Sequence, residues 1–264
     1  MKIYHKCFLL SGICSIPFAI YFFMEGPSII ILKEELQGFK GKKVTGVGGN
    51  AKIDQQRLLN QKIVDFKSWG KHFLICFPQI TVRIHFLMFG SYRLNEQKDI
   101  PPRLSLKFSK GILNLYSCSV KIIEGDLDKI YDWSADVMSD EWDPQRAVRS
   151  IRSHPDDMIC DVLLDQNIFA GAGNIIKNEV LFRVFLHPEA KVSGLTLRKR
   201  RQLVKAVRTY SFEFYQWKKI FQLSKHWLIY RKKKCPRCNI PVIIKHTGTG
   251  NRLSFYCSNC QLLH

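Results

Sequence analysis

The first half of the chain is a series of short apolar runs separated by glycine and polar residues. Between Ile29 and about Val120 the runs are rich in Val, Ile and Phe, and they read KKVTGV, KIVDFKSWGKHFLICF, ITVRIHFLMFG, RLSLKF and ILNLYSCSV. Such closely spaced runs predict antiparallel strands folded into a sandwich or a barrel. Before them, PSIIILKEELQGF places Ile30, Leu32 and Leu36 in partial helical register, so a helix is predicted there.

The second half has helical periodicity from Gln145 to about Tyr230. The stretch before it, YDWSADVMSDEWDP, is rich in acidic and turn residues and is predicted to be a linker. Helices are predicted over DDMICDVLLDQ, NIIKNEVLFRVF and TLRKRRQLVKAVRTYSFEFYQWKKIF. The second begins at Asn174 after the glycine-rich turn FAGAG, so the first two helices form a helix-turn-helix-like unit.

The charge of the chain narrows the choice of partner. Forty-one Lys and Arg stand against 22 Asp and Glu, a formal net charge of +19, and the positive charge gathers towards the C-terminus. This excess predicts a polyanionic partner such as nucleic acid. The alternative is a basic surface that serves only solubility.

The cysteines indicate a metal site. Nine are present, and four form two CxxC pairs, Cys235 with Cys238 and Cys257 with Cys260, separated by eighteen residues. This spacing is typical of four thiolates that bind a tetrahedral Zn²⁺, and a closed set of four makes the metal structural. The alternative is a redox role for either pair.

The remaining features of the C-terminal segment are consistent with nucleic-acid binding. Arg252 lies near the predicted hairpin tip, and the basic run RKKK precedes the first cysteine pair. An exposed arginine on a rigid hairpin is a candidate phosphate contact, although alone it is equally an ordinary solvated side chain. Cys76, Cys118 and Cys160 are predicted to be small buried residues.

Several features together resemble the formamidopyrimidine-DNA glycosylase and endonuclease VIII family. They are EGP after Met24, the Gly-Lys of WGKHF, the segment DQNIFAGAGNIIKNEVLF and the four-cysteine finger with RLSFYC. The resemblance extends from about Met24 to the C-terminus. It implies an α+β fold with an N-terminal β-sandwich flanked by helices over 24–140, a helix-two-turn-helix domain over 145–230 and a C-terminal Cys₄ zinc finger over 231–264.

The resemblance also implies an activity in base-excision repair. A family member removes oxidised bases as a DNA glycosylase and then cleaves the abasic strand as a lyase, with damaged double-stranded DNA bound in the cleft between its halves. ILNLYSCSVKII is more similar to the endonuclease VIII branch, which favours oxidised pyrimidines. We therefore expect a monomer with one structural Zn²⁺, located in the cytoplasm with the nucleoid, without a stable membrane partner.

The resemblance assigns roles to individual residues. Glu25 matches the acidic residue that assists sugar-ring opening and proton transfer. Lys71 matches the hairpin lysine that contacts phosphate near the lesion. Asn174 and Arg252 match the pair that clamps the phosphates around the flipped nucleotide. At position 28 many members have a second acidic residue where this chain has Ser28.

The HFLMFG stretch matches the loop that fills the hole left by the extruded base. Its predicted wedge consists of Leu87, Met88 and Phe89. Extrusion of a base costs a few kcal/mol of stacking, and an apolar wedge at a kink in the DNA offsets that cost. Without the resemblance, these three residues would be read as a strand that alternates between core and surface.

The family nucleophile is a proline at the mature N-terminus, immediately before the residue that Glu25 matches. Met24 occupies its register in this chain. A terminal α-amine has a pKa of about 8, so a useful fraction is neutral and can attack the sugar C1′ to form a Schiff base. In a chain that begins at Met1, the nitrogen of Met24 is an amide and has no such nucleophilicity.

Residues 1–23 contain the apolar stretch CFLLSGICSIPFAIYFF after the basic MKIYHK. A signal or anchor is one interpretation, although Ser, Gly and Pro interrupt the stretch. The favoured one is that these residues precede the true start and are not part of the functional protein. A third is a repair-derived protein that binds damaged DNA without catalysis. The function is thus an active glycosylase and lyase or, alternatively, such a binding protein, with an unrelated zinc-ribbon protein more distant.

Overall fold

The computed structural model describes residues 24–263, and the apolar stretch over 1–23 lies outside them. The N-terminal part begins with helix α1 and continues into an antiparallel sheet. Its elements are α1 (Gly26–Glu35), β1 (Val44–Gly48), β2 (Asp65–Trp69), β3 (His72–Cys76), β4 (Ile80–Leu94), β5 (Leu104–Phe108) and β6 (Ile112–Glu124). The strand order in the sheet is β1-β5-β6-β4-β3-β2.

The predicted sandwich is formed by one sheet whose two longest strands bend. The pairing of β4 with β6 shifts register between Phe86 and Ser91, and such a bulge bends a strand. The first part of β4 pairs with β3, whereas β5 pairs with the first part of β6 and β1 lies beyond β5. Side chains from both ends of the sheet, such as Phe73 of β3 and Leu106 of β5, belong to one buried core.

The helical part forms a second core. Helix α2 (Leu127–Ile130) precedes this core and packs against β3 in a small separate cluster. The helices of the second core are α3 (Pro144–Arg152), α4 (Ile159–Val162), α5 (Asn174–Arg183) and α6 (Leu197–Lys219). Helix α3 was not among the predicted helices, although Asp143 and Pro144 signal its start. The Asp143 carboxylate accepts hydrogen bonds from the N–H groups of Gln145 and Arg146.

The helix predicted over DDMICDVLLDQ is wrong in length, because only the four residues of α4 are α-helical. Met158, just before α4, pairs with Lys191, and the N–H of Ile159 donates to the Ala190 carbonyl. Because these bonds hold Met158 and Ile159 against an extended segment, the helix begins later than predicted. After α4 the Asp165 carboxylate accepts from the Asn167 N–H and forms a turn.

The C-terminal segment is a hairpin of β7 (Ile243–Thr247) and β8 (Arg252–Tyr256), with a cysteine pair on either side. The other cysteines predicted to be buried, Cys76, Cys118 and Cys160, are at most 8% exposed. Among residues 24–263, no helix has the length and apolar character needed to cross a membrane.

Three glycines bring the two halves into direct backbone contact. The Gly26 N–H donates to the Gly171 carbonyl at 2.9 Å. A Cβ on Gly26 would lie 2.8 Å from the Gly171 Cα, and a Cβ on Gly70 would lie 2.8 Å from the Gly171 nitrogen. Only residues without a side chain permit this approach. The start of α1 and the β2–β3 turn are therefore held against the turn that precedes α5.

The acidic segment between the halves is packed rather than loose. Asp136 is 3% exposed, and its carboxylate accepts from the N–H groups of Gly70 and Met138, both at 2.9 Å. Burial raises the pKa of Asp136 to about 6. The segment also pairs with the turn before α5, since the Ala170 N–H donates to the Ala135 carbonyl. The predicted linker therefore contributes to the contact between the halves.

We expect Asp136→Ala to lower the free energy of unfolding by about 1–3 kcal/mol, because it leaves the buried Gly70 and Met138 N–H groups without an acceptor. Urea unfolding followed by circular dichroism measures this change. Asp156→Ala is the matched control, since Asp156 is exposed, and it should stay within about 0.5 kcal/mol of the original chain. Equal stability of the two variants would contradict the assignment.

Candidate active site at the start of helix α5

The Glu25 carboxylate binds the N-terminus of α5. Glu25 is 5% exposed, and its two oxygens accept from the N–H groups of Gly173, Ile175 and Ile176 at 3.2, 2.7 and 3.2 Å. The first N–H groups of a helix have no partner within the helix and carry partial positive charge, so they suit a carboxylate. A residue from the N-terminal half thus completes a helix of the other half.

The protonation of Glu25 is set by opposing influences. Burial raises its pKa, whereas the Lys71 ammonium and the three backbone donors lower it. The burial contribution is the largest, so the pKa lies above the ordinary value for a glutamate. A buried carboxyl group whose pKa is raised in this way is a candidate for acid–base chemistry.

Lys71 lies in the β2–β3 turn, directly after Gly70, and is partly buried. Burial lowers its pKa, the Glu25 carboxylate raises it and the Arg252 guanidinium lowers it. The charge of Lys71 in turn lowers the pKa of His85. Glu25, Lys71 and Arg252, which the sequence places far apart, therefore form one electrostatic cluster, and His85 adjoins it.

Two lysines that the sequence analysis missed also belong to this cluster. Lys177 of α5 is fully buried, and its Nζ donates to the Ser254 hydroxyl at 2.8 Å. Lys218 of α6 donates from Nζ to the Ser28 hydroxyl at 2.6 Å. Burial lowers the pKa of each lysine to about 8, and the charge of Glu25 opposes this shift in both. The only sequence signal for Lys177 is a cation within an apolar helix. Lys218 has no such signal, because it lies among other basic residues.

One face of α5 holds the strand that carries Arg252. The side-chain amide of Asn174 donates to the Leu253 carbonyl at 2.9 Å. One turn later, the Asn178 carbonyl oxygen accepts from the Phe255 N–H at 2.7 Å. Arg252, which is exposed, begins this strand. The two residues assigned to phosphate contact, Asn174 and Arg252, therefore lie beside each other.

The predicted wedge lies at the bend of β4. The side chains of Leu87, Met88 and Phe89 are 54, 74 and 60% exposed, in contrast to the buried Phe86 just before them. Phe89 has a φ of +66°, a left-handed conformation that a regular strand does not contain. The structure thus excludes a strand that alternates between core and surface here, and the wedge role itself stays a prediction.

The four paired cysteines can hold a metal ion. The Sγ atoms of Cys235, Cys238, Cys257 and Cys260 all lie within 4.8 Å of one another. Cys238 and Cys257 are separated by 3.3 Å between sulfurs, and Cys235 and Cys260 by 3.7 Å. Tetrahedral thiolates about 2.3 Å from a zinc ion are separated by about 3.8 Å, so the set fits such an ion.

The hairpin that carries the four paired cysteines also contacts the helical half through its turn. The carboxylate of Asp161 in α4 accepts from the N–H groups of Thr249 and Gly250 in the hairpin turn, at 2.9 and 3.3 Å. A Cβ on Gly248 would lie 2.3 Å from that carboxylate. The finger is therefore held at its turn by α4 and along β8 by α5.

The sequence is similar to a known protein family and to several known proteins. Residues 134–210 match the model described as the formamidopyrimidine-DNA glycosylase H2TH domain. Endonuclease 8-like 3 of Bos taurus is 33% identical over 80% of this chain and 37% of its own length. Endonuclease 8-like 2 of Bos taurus is 34% identical over 68% of this chain and 58% of its own length. The chain thus spans less than two thirds of the length of each of these two relatives.

Among solved structures, the formamidopyrimidine-DNA glycosylase of Lactococcus lactis bound to DNA containing an abasic site has the same fold. It superposes with a TM-score of 0.80 and 20% identity over 90% of this chain and 99% of its own.

We expect Gly173→Ala to displace Glu25 from the start of α5. A Cβ at this position would lie 2.4–2.6 Å from three side-chain atoms of Glu25, so the side chain must move. Overpacking of this kind costs about 1–3 kcal/mol, measured by urea unfolding, and the Ile175 and Ile176 amides should exchange faster with solvent. Gly194→Ala is the control, because nothing lies within 4 Å of its Cβ. Unchanged exchange at both amides would show that the site tolerates a side chain.

Proposed function

The chain belongs to the formamidopyrimidine-DNA glycosylase and endonuclease VIII family, and on this premise we propose that it is a base-excision-repair DNA glycosylase with lyase activity on abasic sites. Its substrate is double-stranded DNA with an oxidised base, pyrimidines being favoured, or with an abasic site. The observation that carries the proposal is the Glu25 carboxylate, which is buried at the start of α5 and interacts with the charge of Lys71, on which Arg252 also acts.

In the proposed reaction, the side chains around Glu25 bind the DNA and move protons. Lys71, Asn174 and Arg252 hold phosphates around the extruded nucleotide, since two of them are cations and Asn174 offers amide groups beside Arg252. Glu25 donates a proton to the sugar ring oxygen as the ring opens, and burial, which raises its pKa, favours the protonated form that this step needs. An exposed Leu-Met-Phe bend fills the space left by the base.

The covalent step requires a neutral amine at residue 24. The amine attacks the sugar C1′, the base departs with its bonding electrons, and the resulting Schiff base acidifies the neighbouring C–H for elimination of the 3′ phosphate. Residue 24 directly precedes Glu25 in the chain. With an amine at this position the protein is an active enzyme, and without one it only binds damaged DNA.

The metal of the proposed enzyme is one structural Zn²⁺ held by the four cysteines. Four thiolates leave no open position for a substrate, and so small a hairpin gains its folding free energy from the metal. The monomeric state and the location in the cytoplasm with the nucleoid stay predictions.

Removal of the metal is expected to weaken DNA binding. Chelation, or Cys238→Ser, should unfold the β7–β8 hairpin and reduce affinity for an abasic duplex several-fold or more, because Arg252 lies on that hairpin. Metal content by atomic absorption and affinity by fluorescence anisotropy are measured on one sample. Retained affinity in a demonstrably metal-free protein would refute this.

Arg252→Ala and Lys71→Ala should each weaken binding to all DNA sequences. Each removes one phosphate contact, so the slope of log affinity against log salt should fall by about 1. The control is Lys107→Ala, which removes an exposed cation from β5. Binding titrations over a range of salt concentrations measure the slope for each variant. A slope equal to that of the Lys107→Ala control would count against phosphate contacts by Arg252 and Lys71.

The amine at residue 24 is tested with three N-termini on one abasic duplex. The chain that begins at Met1 should bind without cleaving, because the nitrogen of Met24 is then an amide. A chain that begins at Met24 should cleave slowly, since it has a primary amine with a pKa near about 8 but lacks the ring that orients it. A misplacement of about 1 Å can cost roughly a hundredfold in rate.

A chain that begins with proline in place of Met24 should cleave well. Strand cleavage and trapping with borohydride are the readouts, with Glu25→Gln as the control for proton transfer and mass spectrometry to verify each N-terminus. Equally fast cleavage by the Met1 and proline chains would place the nucleophile elsewhere. Absence of cleavage by the proline chain, with binding retained, would favour the non-catalytic DNA-binding protein.

A further inference from the structure

A groove of about 870 Å³ lies between α3 and the first half of α6. Its apolar lining comes from Trp142 and Val148 on one side and from Leu197 and Val204 on the other. Leu197 is 46% exposed, although it is the first residue of a helix that packs into the core. The groove therefore offers an accessible apolar surface that no part of residues 24–263 covers.

The groove is separate from the candidate active site. Helix α6 reaches that site at its other end, where Lys218 donates to Ser28. Arg201, which lines the groove, lies about 25 Å from Lys218 along the helix at a rise of about 1.5 Å per residue. Nothing in the proposed reaction at Glu25 requires a basic surface at this distance.

Positive charge surrounds the apolar lining. Arg149, Arg201, Lys205 and Arg208 all line the groove. Arg149 approaches Asp143 at 3.5 Å, and Arg208 donates to backbone carbonyls of the acidic segment. Arg201 and Lys205 are exposed and take part in no ion pair within the part of the chain that the structure describes. Two exposed cations thus flank an apolar slot.

We propose that this groove is a docking site for an acidic peptide segment of a partner protein. Carboxylates of the segment face Arg201 and Lys205, and one apolar side chain enters between Trp142 and Leu197. Charge complementarity selects an acidic partner. The apolar lining selects a peptide over a nucleic-acid backbone, because phosphates and sugars have no large apolar group to bury there, whereas an anchor side chain in a pocket is typical of peptide recognition.

The test uses the full chain with its metal and a set of fluorescent peptides. In each peptide glutamates flank one central residue, which is Leu, Phe or Trp, and a companion peptide has Ser at that place. Fluorescence anisotropy should show that the best of the three binds about tenfold tighter than the Ser peptide, since its anchor is buried. If none binds more tightly than the Ser peptide, the apolar slot has no role and the proposal is overturned.

Variants of the groove separate the charges from the slot. Arg201→Glu with Lys205→Glu should weaken peptide binding about tenfold or more. Leu197→Ser should remove the preference for the apolar anchor. Lys107→Glu with Lys110→Glu is the matched control, because both lysines are exposed, Lys107 on β5 and Lys110 in the turn after it, and it should change affinity less than about twofold. Equal losses in the groove and control pairs would show attraction to net charge alone and overturn the proposal.

The same variants distinguish a peptide site from a DNA-binding surface. Thermal unfolding verifies that each one folds, and Arg201→Gln with Lys205→Gln replaces the charge reversal if that variant does not. Binding to an undamaged DNA duplex is measured in parallel. The duplex affinity should be nearly unchanged in the Leu197→Ser variant. The groove pair should reduce it no more than the control pair does. A loss of duplex affinity as large as that of Arg252→Ala would assign the surface to DNA and contradict a peptide site.

Discussion

The contact between the Glu25 carboxylate and the first N–H groups of α5 is the interaction on which the arrangement depends. It joins the start of the N-terminal half to a helix of the other half, and it buries a carboxylate that burial alone would drive to the neutral form. The contact is possible because Gly173 has no side chain in the space that Glu25 occupies. A polar contact therefore positions the two halves, and their separate apolar cores stabilise each one.

Helix α5 transmits that position to the finger. Its N–H groups hold Glu25, while Asn174, Lys177 and Asn178 on one face hold the backbone and hydroxyl groups of β8. Since Arg252 begins that strand, one helix sets the distance between the Glu25 carboxylate and a cation on the finger. The four paired cysteines lie on either side of the hairpin that α5 holds. In the proposed function, proton transfer and phosphate binding thus share this helix as one scaffold.

Local patterns were sufficient to predict the strands of the sheet, the helix before them, the cysteine cluster and, with the family resemblance, the grouping of Glu25, Lys71 and Arg252. They could not predict Lys177, whose partner Ser254 lies 77 residues further along the chain. The short α4 was mispredicted for a similar reason, because bonds to Ala190 and Lys191 override its apolar periodicity. Contacts between distant segments leave no periodic signal in either partner.

The excess of buried cations explains why such a site suits an anionic ligand. Lys71, Lys177 and Lys218 all have lowered pKa values, and the charge of Glu25 acts on each of them. Other carboxylates also act on two of these lysines, Asp161 on Lys177 and Glu35 on Lys218. Lys71 differs, because the Arg252 guanidinium opposes the influence of Glu25 on it. In the proposed function, a phosphate bound between Lys71 and Arg252 adds negative charge where these two cations repel each other, so the DNA ligand relieves that repulsion.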